Sequence, residues 1–189
     1  VYTSLLPPEQ YGIYSLSIAF LSFLCIIFSD WVGLSGLRFF RQHQLAQDLS
    51  KYLSVLVSIL GLNLFLMFAL CLIFQGNFCS FFKIDPKYFY AVLFLIIPVA
   101  IRALLFQLLR AQLKSVSYTF STILNQFMTI GLSIFFIKVF HMGAIAMLLA
   151  MGVSISLTDL LLMYQSKIFI YFRKPKLHWS VLLPIVMYG

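Results

Sequence analysis

Residues 53–74 read LSVLVSILGLNLFLMFALCLIF, an unbroken apolar stretch without a charged side chain. A helix rises about 1.5 Å per residue, so this stretch would extend for roughly 33 Å and cross the roughly 30 Å hydrocarbon core of a bilayer. Backbone amides in lipid have no water to bond, and a helix satisfies all of them within one segment. The stretch therefore predicts a transmembrane helix.

Further stretches have the same length and apolar character. They cover residues 13–31, 88–109, 117–137 and 143–164, and another apolar run begins at residues 181–189. Over the whole chain 62% of the residues are hydrophobic and 10% are charged, whereas soluble domains carry roughly 25% charged residues. The predicted fold class is all-α, a polytopic transmembrane helix bundle with five spans and the start of a sixth.

Positive charge concentrates in alternate connections between these spans. Residues 37–51, 110–116 and 165–178 hold most of the lysines and arginines, and the remaining connections hold only three lysines. Cytoplasmic loops carry an excess of Lys and Arg, so these three connections are predicted to be cytoplasmic. This topology explains the net charge of +8, and nucleic-acid binding is not expected.

Both ends of the chain are interpreted as cuts, because it starts with Val1 rather than Met and stops inside an apolar run. The charge bias places Val1 outside. If the native N-terminus is cytoplasmic, an odd number of spans precedes it, and one missing helix is the simplest expectation.

Residues 37–51 also mix aromatic side chains with charged ones. Two interpretations remain open for this segment: a short helix lying in the membrane interface, or a simple polar turn.

No pattern typical of an enzyme is present. The sequence offers no Ser/His/Asp set, no paired carboxylates, no phosphate-binding loop and no cluster of His and Cys with metal-ligand spacing. The three cysteines suggest neither a metal site nor a disulfide. Neither catalysis nor a cofactor or metal is expected.

Charges inside the predicted spans are the strongest functional signal, because a charge in hydrocarbon is costly and usually faces the protein interior. Arg102 lies eight residues before Arg110 and hence about 12 Å deeper along the helix axis. Pro98, one turn earlier on the same face, predicts a kink. Arg102 is a candidate for an anion site or a gate in the lumen. The alternative is that it reaches back to the interface or pairs with an acid.

Asp30 and Asp159 are the acids within the spans. Each is predicted either to pair with Arg102 or with an arginine of a loop, and so to stabilise the bundle, or to couple transport to a proton or another ion.

The span at residues 117–137 carries a polar stripe. At about 100° per residue its polar side chains fall within one arc of the helix. Such a stripe must face neighbouring helices or an aqueous cavity. The candidates for a substrate-binding lumen wall are Thr122, Asn125, Gln126 and Thr129. Helix packing is the alternative, and it is the preferred interpretation for the small and polar residues of the next span, Gly152, Ser154, Ser156 and Thr158.

Several short segments resemble one family of transporters. Residues 5–14, LLPPEQYGIY, resemble the link between the first two helices of polysaccharide (O-antigen) flippases, in the multidrug/oligosaccharidyl-lipid/polysaccharide exporter superfamily. Residues 30–34, DWVGL, and 37–39, LRF, resemble that family's end of helix two and its cytoplasmic arginine. Trp31 and Val32 depart from the pattern, because a leucine before the glycine is more usual. Smaller similarities are found at residues 109–111, 117–118, 143–144 and 181–189.

The resemblance implies a MATE-like inverted-V transporter of two six-helix lobes. Residues 1–189 would then be a partial N-terminal transmembrane lobe, with helices two to six and the start of helix seven, and the C-terminal lobe of the same chain is missing. The implied activity is alternating-access flipping of polyprenyl-diphosphate-linked oligosaccharide repeat units across the plasma (inner) membrane, for O-antigen or capsule biosynthesis. The implied partners are this lipid-linked oligosaccharide and membrane lipid, with Arg102 as a candidate contributor to a cationic lumen.

Two other functions remain open. A cation-coupled exporter of small molecules from the same superfamily would favour acidic groups in the lobe, whereas the deepest charge here, Arg102, is positive. A membrane-embedded glycan polymerase or ligase would be expected to have a large external loop, whereas the longest one predicted here, residues 75–87, is short.

Overall fold

The computed structural model describes residues 7–140 and 143–166, and these form helices joined by short turns. In chain order the helices are α1 (Pro8–Leu45), α2 (Leu49–Ile73), α3 (Gln75–Phe82), α4 (Pro86–Ala111), α5 (Ser115–Phe140) and α6 (Gly143–Ser166). All but α3 are long and apolar enough to cross a membrane. The predicted all-α class is confirmed for this part of the chain, and its five long helices indicate a multi-pass membrane protein.

Some predictions lie outside the described residues. These are the further helix at 181–189, nearly all of the basic connection 165–178, the turn at His141, and the first two residues of the segment 5–14.

Helix α1 is longer than the sequence predicted. The expected span 13–31 is part of one continuous helix of 38 residues, with a π-helical turn at Ile26–Asp30. Of the two interpretations of residues 37–51, the simple polar turn is wrong for most of the segment, because residues 37–45 are helical and the chain turns only after Leu45. This helix continues α1 and is not a separate short one, and its place in the membrane interface stays a prediction. Charged and polar residues such as Arg and Gln are good helix formers and do not end a helix. The helix is about 57 Å long and therefore extends beyond a bilayer core of roughly 30 Å.

Residues in the left-handed conformation end three of the helices. Gln47, Lys83 and Leu113 have φ angles of 57°, 51° and 57°, just after α1, α3 and α4 respectively. Glycine usually occupies this position, because a side chain there is strained. At the other ends, Pro8 and Pro86 occupy the first turns of α1 and α4, where the missing amide proton has no cost.

Helix α4 lies at the centre of the bundle and packs against both halves of α1 and against α6. Half of the residues in the most apolar 18-residue stretch of α4 are buried, whereas only 6% of the residues in the corresponding stretch of α5 are buried. Helix α5 packs mainly against α6. One apolar core surrounds Tyr52 and Leu104, and a second surrounds Phe20 and Phe89.

One end of the bundle carries the turn between α1 and α2 and the turn between α4 and α5. Arg41, Lys51, Arg110 and Lys114 are exposed there, and we call it the basic end. Near this end Tyr52 links α2 to α1: its buried hydroxyl donates a hydrogen bond of 2.6 Å to the carbonyl oxygen of Ser35.

Candidate functional site

A buried ion pair joins α4 to α6. The Nε of Arg102 donates to Oδ1 of Asp159 at 3.0 Å, and the two side chains are only 11% and 6% exposed. Of the arrangements that the sequence left open for Arg102, pairing with an acid is the one seen. The arginine does not reach back to the basic end.

The same guanidinium makes two further contacts with α6. Its Nη2 donates to the carbonyl oxygen of Ile155 at 3.3 Å and also to Oγ1 of Thr158. On the α4 side, Cζ of Arg102 lies 5.4 Å from the centre of the Phe106 ring, in cation–π contact. One turn of α6 therefore supplies three acceptors, and α4 supplies an aromatic face.

The hydrogen bonds continue from α6 to α5. Oγ1 of Thr158 donates to the carbonyl oxygen of Ser154 at 2.8 Å, and Oγ of Ser154 donates to Oδ1 of Asn125 at 3.0 Å. Thr129 bonds the same Ser154 hydroxyl. Two of the four predicted lumen residues, Asn125 and Thr129, are thus connected to Arg102 through α6 and do not contact it directly.

The other two predicted lumen residues are placed differently. Thr122 donates to the carbonyl oxygen of Tyr118 in its own helix at 2.9 Å. Gln126 is exposed on α5 and takes no part in the bonds to Ser154. The polar stripe of α5 therefore serves helix packing at Asn125 and Thr129.

Asp30 is not the partner of Arg102. It ends the π-helical turn of α1 and is partly exposed, without a hydrogen bond or ion pair to any residue that the structure describes. Asp159 forms the ion pair with Arg102 because α6 packs directly on α4.

Sequence reasoning missed the role of Thr158 and Ser154, which it had assigned to packing alone. Both are buried, at 1% and 0% exposure, and they carry the link between the ion pair and α5. Their spacing was the available signal, because residues four apart lie on one helix face and Thr158 directly precedes Asp159.

An apolar groove of about 440 Å³ lies between α4 and α6 on the side of the ion pair away from the basic end. Pro98, one turn before Arg102, lines it together with Phe94, Gly152 and Leu157. Gly152 lets the helices approach closely, because a Cβ there would lie 3.2 Å from Cδ1 of Leu95.

Comparison of the chain with protein-family models, curated proteins and solved structures finds no match. Within the described residues no group of His, Cys, Asp and Glu is placed to hold a metal ion. The distinctive chemistry of the site is a fixed guanidinium whose charge is balanced by one carboxylate deep between two apolar helices.

Proposed function

We propose that this chain is part of a flippase that moves polyprenyl-diphosphate-linked oligosaccharides across the plasma membrane by alternating access. In this proposal it forms helices two to six of the N-terminal lobe of a MATE-like transporter. The proposal draws on the resemblance of residues 5–14 and 30–39 and on the apolar five-span bundle. The observation that carries it is the buried guanidinium of Arg102 on the central helix α4.

Arg102 has the chemistry that a diphosphate requires. A guanidinium presents its donors in a planar fork that matches phosphate oxygens and stays charged in any environment. In the present arrangement Asp159, Thr158 and the Ile155 carbonyl fill that fork. A diphosphate would compete with Asp159 for the same donors, so the α4–α6 contact would have a closed state with the ion pair and an open state with substrate.

A second function, export of small molecules coupled to a cation, is favoured by a different atom of the same pair. Oδ2 of Asp159 is buried and has no hydrogen-bond partner in the part of the chain that the structure describes. A carboxylate oxygen in that position is available to a proton or a metal cation, which is the coupling chemistry such an exporter needs.

The test uses the full-length gene in a strain deleted for it. We expect deletion to trap lipid-linked repeat units in the cytoplasmic leaflet and to abolish surface polysaccharide, because a charged head group crosses hydrocarbon very slowly without a transporter. Arg102→Ala is expected to restore less than a tenth of wild-type transport, since a single buried charge-assisted contact is worth roughly 1.5–3 kcal/mol. Arg102→Lys keeps the charge without the fork and is expected to restore transport partly.

The matched variant is Asp159→Asn, which keeps the shape of the partner and removes its charge. If deletion leaves surface glycan and the leaflet distribution unchanged, the flippase proposal fails. If Asp159→Asn alone abolishes export of a cationic dye while Arg102→Lys does not, the cation-coupled exporter is the better description.

The proposal includes an orientation in which the basic end faces the cytoplasm, and Cys79 tests it. This thiol lies on α3 at the opposite end and is half-buried, whereas Cys25 and Cys71 are buried in the bundle. We expect a membrane-impermeant maleimide to label Cys79 in right-side-out vesicles and not in inside-out vesicles. The reverse pattern would overturn the orientation. Cys79→Ser is the control and should abolish labelling.

The rate of this labelling should depend on pH in a defined way. Burial, and after it the charge of Asp85, raise the pKa of the Cys79 thiol. The thiolate is the reacting form, so labelling should be slow at neutral pH and rise with pH over a higher range than for a free thiol. Asp85→Asn removes the negative charge and should speed labelling at pH 7.5. A labelling rate unchanged by this variant would contradict the contribution of the Asp85 charge to the raised pKa.

A further inference from the structure

The basic end contains a second cavity, which is separate from the Arg102 site. It has a volume of about 670 Å³ and lies between the end of α1, the start of α2 and the turn that joins α4 to α5. Its polar lining side chains include Arg41 and Gln44 of α1 and Gln112 and Lys114 of the turn. Apolar side chains such as Phe40 complete the lining.

The chemistry of this cavity suits an anion. Arg41 and Lys114 are both exposed, and neither forms an ion pair within residues 7–140 and 143–166. The two glutamine side chains add neutral donors. None of the described residues that line the cavity carries a carboxylate. The nearest acid along the chain, Asp48, is already bound by Nδ1 of His43 at 2.8 Å.

The surroundings of the cavity suit a lipid. Leu113, in the turn itself, is 89% exposed, and Leu45 and Val116 are also largely exposed at this end. Exposed aliphatic side chains beside unpaired cations are typical of contact with a membrane leaflet, with the aliphatics in the acyl region and the cations at the phosphates. A free phosphate would make no use of the aliphatic side chains.

We propose that the cavity at the basic end binds the head group of an anionic phospholipid, with the phosphate between Arg41 and Lys114. Basic cavities between the ends of spanning helices bind such head groups, and each cation near the surface contributes to their attraction. The bound lipid joins the end of α1 to the α4–α5 turn. This site does not depend on the transport function proposed above.

The experiment is lipid binding by the intact protein in neutral detergent, followed by native mass spectrometry. The probes are phosphatidylglycerol and phosphatidylcholine with identical acyl chains. We expect the double variant Arg41→Gln/Lys114→Gln to bind phosphatidylglycerol roughly thirtyfold more weakly than the wild type, and phosphatidylcholine equally well. The control Lys83→Gln/Lys87→Gln removes the same charge at the opposite end and should behave as wild type.

Three results would overturn the proposal. Equal affinity of the wild type and the Arg41/Lys114 double variant for phosphatidylglycerol would overturn the site. Equal binding of the two lipids to the wild type would overturn the requirement for an anionic head group. Displacement of phosphatidylglycerol by millimolar inorganic phosphate or pyrophosphate would show that a free phosphate, and not a lipid, is the ligand. The conservative variant Arg41→Lys/Lys114→Arg should keep most of the affinity.

Discussion

Asp159→Ala is expected to lower the free energy of unfolding of the bundle by about 3–5 kcal/mol, because it leaves the buried guanidinium of Arg102 without its counter-charge. Arg102→Ala should have an effect of similar size, since it leaves the Asp159 carboxylate alone in the same apolar surroundings. The measurement is unfolding in mixed micelles, followed by circular dichroism as the fraction of denaturing detergent increases. Loss of less than about 1 kcal/mol in both variants would show that the pair is not buried as described.

The double variant Arg102→Met/Asp159→Leu separates stability from function. Replacing a buried ion pair by apolar residues of similar volume is often neutral or stabilising, so this protein should be close to the wild type in stability. If Arg102 binds the diphosphate, the stable double variant should still fail in the flipping assay. Recovery of transport would instead assign the pair a purely structural role. An exposed pair, Lys87 and Asp85 at 3.7 Å, provides the control, because Asp85→Asn should change neither stability nor transport.

Gly33→Leu is expected to destabilise the bundle by about 3 kcal/mol, through steric conflict between α1 and α4. A Cβ at Gly33 would lie 3.1 Å from Cγ of Gln107 and 3.6 Å from the backbone oxygen of Ala103. Gly33→Ala should cost less, because the Gln107 side chain is flexible enough to move by a few tenths of an ångström. The rest of a leucine side chain meets the backbone of α4, which cannot yield without moving the helix.

Gly61→Leu and Gly131→Leu are the matched controls. Both glycines lie in the middle of spanning helices, and apart from the helix's own backbone no atom of the described residues lies within 4 Å of a Cβ at either position. A leucine there should be tolerated, and the change from glycine should favour the helix. The thermal midpoint of each variant, measured by fluorescence-detected size exclusion, makes the comparison. A midpoint for Gly33→Leu equal to those of the two controls would contradict the close approach of α1 and α4.

The spans could be predicted because one physical constraint dominates them. Residues 53–74 and 88–109 correspond closely to α2 at Leu49–Ile73 and α4 at Pro86–Ala111, since a bilayer fixes both the length and the apolar character of a crossing helix. The end of α1 could not be predicted in this way. There the sequence is too polar to mark a span, and the course of the helix depends on packing, such as the burial of Val32 and Phe40 against α2 and α4.

Only part of the site could be predicted from the sequence, for a similar reason. The sequence indicated Arg102 as the important charge and offered Asp30 and Asp159 as partners, but the choice depends on which helices touch. Contact between α4 and α6 follows from small residues such as Gly152 and from the position of every other helix, and no local pattern encodes it. Thr158 gained its role from that contact as well.

The dependence of α5 on α6 has a consequence for the order of assembly. The chain is synthesised from its N-terminus, so α5 enters the membrane before α6, the helix that it chiefly contacts, exists. Until α6 arrives, the polar side chains of Asn125 and Thr129 have no Ser154 to bond and face hydrocarbon. We therefore expect helices α5 and α6 to enter the bundle as one hairpin. Asp159 reaches Arg102 only with that hairpin, so we expect this ion pair to form after the contacts among α1, α2 and α4.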